Sequence, residues 1–152
     1  MKTRIDDTDR LILNRIQSDF PITPRPYEEI GKQAGISEDE VMARLIRLKD
    51  KHIIRRIGGN FVPEKLGYVS TLCAAQVPEN RIQDFMAAVN RFPGVTHNYL
   101  RDNPFNIWFT FIARSMDEIK ANLEKIASET GIPRILNLPA TRTFKIKAQF
   151  DL

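Results

Sequence analysis

Three side chains that carry charge or move protons recur at every second position of one short run: His97, Tyr99 and Arg101. In a β-strand successive side chains point to opposite faces, so this spacing sets all three on one side. The same parity predicts Val95 beside them and Thr96, Asn98 and Leu100 on the reverse. An imidazole exchanges protons near neutrality, a phenol donates or relays one, and a guanidinium grips carboxylates through a planar fork. Such a row suits an anionic substrate that has to be protonated. The one tryptophan, Trp108, follows within Phe105-Asn106-Ile107-Trp108-Phe109-Thr110 and offers a flat apolar surface. His52, the other histidine, follows Asp50-Lys51 at a helix end, where the dipole favours it, and reads as structural. Two histidines and one cysteine supply no protein-only zinc or iron–sulfur site, so no resident metal is expected. Gly58-Gly59 is too short to cradle a phosphate and reads as a turn.

The elements that must position this row read as β-α-β-β-α-β. Apolar alternation predicts strands over 69–77, 95–101, 105–113 and 141–150. Helical spacing predicts a helix over 79–90, with Ile82, Phe85, Met86 and Val89 inward, and another over 116–130, with Ile119, Leu123 and Ile126 inward and Gly131 at its end. This is the ferredoxin-like arrangement, with both helices on one face of an antiparallel sheet. Phe105, Ile107, Phe109, Phe111 and Ala113 form the row expected under the helices. Asn106, Trp108, Thr110 and Ile112 then occupy the opposite face, which is too apolar to stay wet. A second copy or a related chain is the expected lid.

Upstream, Asp6 and Asp9 predict a capped helix carrying Leu11, Ile12, Leu13 and Ile16. Pro26 and Gly35 bracket a second helix, and Ser37 with Glu40 forms a capping box for a third, whose Val41, Leu45 and Leu48 face inward. Helices joined by Ala34-Gly35-Ile36-Ser37 make a helix-turn-helix. Residues 53–62 read as two short strands around Gly58-Gly59, a wing. The fold class is therefore α+β, a winged helix-turn-helix over 1–62 followed by a ferredoxin-like domain over 63–152.

Charge argues against DNA as the partner. Residues 1–50 hold nine Lys/Arg against ten Asp/Glu; residues 51–152 hold fourteen against nine, so the basic half is the second. A recognition helix leads with residues that meet a polyanion, and here those are Glu38-Asp39-Glu40. The same carboxylates suit the positive end of the helix dipole. Arg44 and Arg47, further along, either touch phosphates or lie solvated on the surface.

The 152 residues carry ordinary hydrophobic (42%) and charged (28%) shares, which fits one or two small globular domains. Cys73 lies in an apolar run and reads as a buried free thiol, so a reducing cytoplasm is expected. No apolar core follows the first basic residues and no run approaches membrane-spanning length, so neither export nor a membrane partner is expected.

Four spaced motifs carry a family resemblance: Ile54-Arg55-Arg56-Ile57-Gly58, Thr96-His97-Asn98-Tyr99-Leu100-Arg101, Phe105-Asn106-Ile107-Trp108-Phe109-Thr110, and Leu138-Pro139-Ala140-Thr141-Arg142-Thr143-Phe144-Lys145-Ile146. With the link Phe61-Val62-Pro63-Glu64-Lys65-Leu66-Gly67-Tyr68, the whole chain resembles the AsnC/Lrp superfamily and, within it, the siroheme decarboxylases. Phe105 and Phe144 stand where the family often has tyrosine, and Gly59 where it has alanine. The resemblance implies a lyase that removes carbon dioxide from the C12 and C18 acetate side chains of siroheme. The product is didecarboxysiroheme, for heme or heme d1 formation. It implies a heterodimer with a paralogous subunit, or a homodimer. No cofactor is required, because the iron enters with the substrate. Siroheme bears eight carboxylates, so Arg55, Arg56, Arg101 and Arg142 become the expected anchors, with Lys145 weaker. Asn106 and Trp108 complete the expected substrate-binding set. His97 becomes the general acid and Tyr99 its companion in orientation or proton relay; axial ligation of the iron by His97 is the alternative. Two other readings stay open: an AsnC/Lrp-type DNA-binding regulator that responds to a small ligand, and a heme-binding sensor without turnover.

Overall fold

A computed structural model describes residues 5–59, 61–145, 150 and 152. The elements are α1 (Asp7–Ser18), α2 (Pro26–Ala34), α3 (Glu38–Asp50), β1 (Val69–Ala75), α4 (Ile82–Asn90), β2 (Val95–Leu100), β3 (Ile107–Ala113), α5 (Met116–Thr130) and β4 (Ile135–Leu138). They divide into two compact units, one of Asn60–Phe144 and one of Met1–Gly59 with Lys145–Leu152. Phe150 and Leu152 bond to the first unit: Phe150 N–H donates to Gln17 Oε1 at 3.0 Å and Asn14 Nδ2 donates to Leu152 O at 3.2 Å, both partners on α1.

In the first unit the local signals act as read. Asp6 accepts from Asp9 N–H at 2.7 Å and Asp9 returns the bond to Asp6 N–H at 3.2 Å, a full capping box. Pro26 opens α2, and Gly35 closes it with φ 68°. A Cβ on Gly31 would stand 2.7 Å from Ile36 O, so the tight turn into α3 demands glycine there. Ser37 accepts from Glu40 N–H, but the Glu40 carboxylate bonds Arg44 instead of returning to the cap, so only half of the expected box forms. Ile12, Ile30, Val41, Leu45 and Leu48 bury their faces together.

The described residues form no wing. Among the described residues of 53–62 none is in a strand, and Ile57, Phe61 and Val62 stay exposed. A lone two-stranded hairpin is marginal without an apolar face to pack on, and these side chains find none.

The second unit is the ferredoxin-like sheet, antiparallel in the order β2-β3-β1-β4. Ile107, Phe109, Phe111 and Ala113 are buried with Phe85 and Val89 of α4 and Ile119 and Ile126 of α5. Each fully buried phenylalanine contributes about 1.5–3 kcal/mol. Cys73 is a free thiol inside this core, where burial pushes its pKa up to about 12. No helix among the described residues is long and apolar enough to cross a membrane.

Two expectations are corrected here. Among the described residues the strand paired to this edge of β1 is Ile135–Leu138, through Ala75↔Ile135 and Leu72↔Leu138, where 141–150 was expected. Residues 141–145 make no strand, and 146–149 lie outside the described residues. In β2 a bulge breaks the simple alternation. Val95 pairs with Phe111 but His97 pairs with Thr110, so one extra residue is inserted between them. Val95 therefore packs on the helix-covered core, while His97 turns to the other side.

Candidate active site

The sheet face away from α4 and α5 collects the residues that alternate with the core. Cross-strand pairs line it: His97↔Thr110 and Tyr99↔Trp108 between β2 and β3, Leu72↔Thr110 and Ala74↔Trp108 between β3 and β1, and Leu72↔Leu138 and Ala74↔Leu136 between β1 and β4. Leu72, Leu136 and Leu138 are exposed, while Ala74 is fully buried in the middle of the face. The result is an apolar floor beside a polar, aromatic edge.

On that edge the imidazole of His97 stacks on the Tyr99 ring, centroids 6.1 Å apart and planes 16° from parallel. The Arg101 guanidinium sits 5.9 Å from the Tyr99 centroid and 5.6 Å from that of Trp108. The two rings flank it at cation–π range, and among the described residues no carboxylate lies within ion-pair reach of it. His97 Nδ1 is 3.0 Å from the hydroxyl of Thr96, which the bulge brings beside it. A ring held at one nitrogen can present the other to a substrate.

The β2–β3 turn fixes this edge. Arg101 N–H donates to Asn106 O at 2.7 Å, and Phe105 N–H donates to Asn103 Oδ1 at 3.0 Å. The Trp108 indole N–H donates to Phe105 O at 2.6 Å, which orients the ring across the face.

The other expected site residues are distributed differently. Asn106 sits at the site's border, but both ends of its amide are engaged by Val77: Oδ1 accepts from Val77 N–H at 3.0 Å and Nδ2 donates to Val77 O at 2.8 Å. It clamps the start of β3 to the end of β1. Arg142 is exposed, 5.0 Å over the ring of Phe144. Lys145 is exposed and groups with the first unit, as do the exposed Arg55 and Arg56 that follow α3. The geometry thus brings His97, Tyr99, Arg101 and Trp108 together. Reading the sequence alone missed Leu72, Leu136, Leu138 and Thr96; the alternation of Ile135-Leu136-Asn137-Leu138 after Pro133 was the available signal for the leucines. Among the described residues no cluster of three or more His, Cys, Asp or Glu could hold a metal ion.

The arginines of α3 pair with carboxylates of the same unit. Arg44 bonds Asp6, Asp9 and Glu40, and Arg47 bonds Asp9 at 2.6 Å. The Asp9 side chain is only 1% exposed. Burial opposes its ionisation, but the hydrogen bonds from Arg47 and Arg44 outweigh it and hold the carboxyl below its usual range. The Arg44 hydrogen bond lowers Asp6 likewise, and that bond and the one to Asp9 push the guanidinium pKa of Arg44 further up.

Comparison with known proteins agrees with this architecture. Residues 65–145 match the AsnC-like ligand binding domain, which sets the class of the protein. AsnC of E. coli superposes with a TM-score of 0.78 over 97% of this chain and 99% of that one; at 21% identity this is a likeness of fold. Residues 9–55 match the siroheme decarboxylase NirDL-like HTH domain. The siroheme decarboxylase alpha subunit of Desulfovibrio desulfuricans is 53% identical over 97% of this chain and 85% of its own length. The crystal structure of the siroheme decarboxylase NirDL with an iron-uroporphyrin III analogue superposes with a TM-score of 0.67 at 26% identity, over 93% of this chain and 48% of that one. The chain belongs to the siroheme decarboxylase family, within the AsnC-like proteins.

Proposed function

We propose that the chain acts as a siroheme decarboxylase subunit whose sheet face receives the substrate, removing carbon dioxide from the C12 and C18 acetates. One observation carries the reading. His97, Tyr99, Arg101 and Trp108 share the face away from the helices in a chain 53% identical to an enzyme subunit of that name. An apolar floor of leucines and Trp108 suits the macrocycle's plane, and Arg101 at its edge suits a rim carboxylate.

The chemistry balances with no redox partner. The bond between the acetate methylene and its carboxylate breaks, the electron pair passes into the conjugated ring system, and carbon dioxide leaves. His97 then gives a proton to the methylene carbon, which becomes a methyl, and solvent reprotonates the imidazole. Tyr99 orients the ring or passes the proton. Arg101 positions the substrate through a carboxylate that stays, since a tightly paired carboxylate loses carbon dioxide less readily than a poorly solvated one. Iron arrives with the siroheme. If His97 instead ligates that iron, the iron spectrum of the complex changes in the His97→Gln variant.

The name "alpha subunit" of the relative and the exposed leucines of the sheet face both support a companion chain. The test is anaerobic incubation with siroheme, alone and with a paralogous subunit, followed by mass analysis. Loss of two carbon dioxides per macrocycle is expected; unchanged siroheme with every partner overturns the reading.

The regulator reading gains nothing from α3. Its two arginines are committed to carboxylates of the same unit, and Glu38, Asp39 and Glu40 lead the helix. A mobility assay with duplex DNA at low salt is expected to show no shift; a salt-sensitive, sequence-selective shift would restore that reading.

A further inference from the structure

Among the described residues of the first unit, Arg10, Arg15, Arg25, Lys32, Arg44 and Arg47 each lie within ion-pair distance of a carboxylate. The run Lys49-Asp50-Lys51-His52-Ile53-Ile54-Arg55-Arg56 differs. Among the described residues none of its four Lys and Arg side chains has such a partner, so the run carries four cations against the one carboxylate of Asp50. Lys49, His52 and Arg55 line a hollow of about 760 Å³ together with Asp50 and Ile54.

A helix C-terminus ordinarily repels anions through its open carbonyls. Here the chain closes them: Lys51 N–H donates to Arg47 O, Ile53 and Ile54 N–H to Leu48 O, and His52 N–H to Lys49 O at 2.9 Å. His52 is also the one non-glycine among the described residues with positive φ, 56°, at a position where helix ends favour glycine. The backbone gains nothing from an imidazole at that position, whereas the hollow gains a ring N–H donor.

We infer that this hollow binds a carboxylate, with Lys49 and Arg55 supplying charge and His52 a hydrogen bond. It rests on the reading above only in counting Arg55 among the carboxylate anchors. Nothing in it depends on His97. The carboxylate belongs either to a small free acid or to the rim of a tetrapyrrole.

The chain has two histidines, so ring-labelled protein gives two sets of imidazole signals. His52→Gly assigns one set and, by relaxing the left-handed position, is expected to leave Tm unchanged or raised. Titration of the full chain with citrate, and separately with metal-free uroporphyrin, is expected to move the His52 signals. Binding read at a labelled Arg55 is expected to weaken about tenfold in His52→Gly and in Lys49→Ala. A response to citrate identifies a site for free acids; a response to uroporphyrin alone identifies the macrocycle's rim. No movement with either probe, or unchanged affinity in both variants, overturns the inference. Persistence of the His52 response in His97→Ala separates this site from the decarboxylation reading.

Discussion

Arg44 and Arg101 show two ways of holding a guanidinium. In the first unit Arg44 is enclosed by three carboxylates, and Arg47 shares the buried Asp9 with it. On the sheet, Arg101 is flanked at cation–π range by the rings of Tyr99 and Trp108, with no carboxylate of the described residues in reach. Ion pairing uses up a guanidinium's hydrogen bonds, whereas a cation–π contact does not. The two arginines of α3 are thus part of a tie within their own unit. Arg101 on the sheet has no such tie among the described residues.

The sharpest way to break this contrast is on the open side. His97→Ala is expected to slow siroheme decarboxylation by about 10²–10⁴-fold with the circular dichroism spectrum unchanged; near-normal turnover removes His97 from the chemistry. On the closed side, Asp9→Ala removes a buried carboxylate from two arginines and breaks the capping box of α1. Urea unfolding is expected to show a loss of about 3 kcal/mol. A loss too small to measure would mean that the tie does not hold the unit.

Acid should separate the units next. Asp6 and Asp9 have folded-state pKa values below their ordinary ones, so their contribution is complete above about pH 4 and drains away as pH falls through the lowered values. Unfolding midpoints followed downward from about pH 5 should fall, and the fall should be smaller in Asp9→Ala, which leaves only the Arg44-bound Asp6 of the pair. The smallest effect is expected for Arg101→Lys. It keeps the charge but loses the planar stack and the fork, so KM should rise about fivefold with kcat little changed. A large loss of kcat would make Arg101 part of the chemical step.

The sequence spoke most clearly where structure is local. Asp6 with Asp9, Pro26, Gly35 and Ser37 mark helix ends through bonds spanning a few residues, and the alternation of Ile107 to Ala113 shows both faces of β3. What stayed hidden depends on distant partners. Residues 141–150 have strand-like residues, but β4 is decided by which segment reaches the edge of β1, and that is Ile135–Leu138. The described residues form no wing for want of packing that no pattern in 53–62 could reveal. The bulge before His97 is a one-residue shift in pairing, and periodicity of two cannot register it. It left the face of His97, Tyr99 and Arg101 as read but moved Val95 to the core. The ties of Arg44 and Arg47 to Asp9 join α3 to α1 across the unit, so their positions on α3 alone did not disclose them.

The account stands on the sheet face being where the tetrapyrrole lies. Trp108 is the chain's only tryptophan, so its indole N–H gives a single resonance, and iron-uroporphyrin III is a paramagnetic mimic of the substrate. Titrating the mimic into labelled protein should broaden the Trp108 indole and His97 imidazole signals together, in proportion to occupancy. Saturable binding that leaves the Trp108 signal sharp and unmoved would place the macrocycle elsewhere and contradict the account.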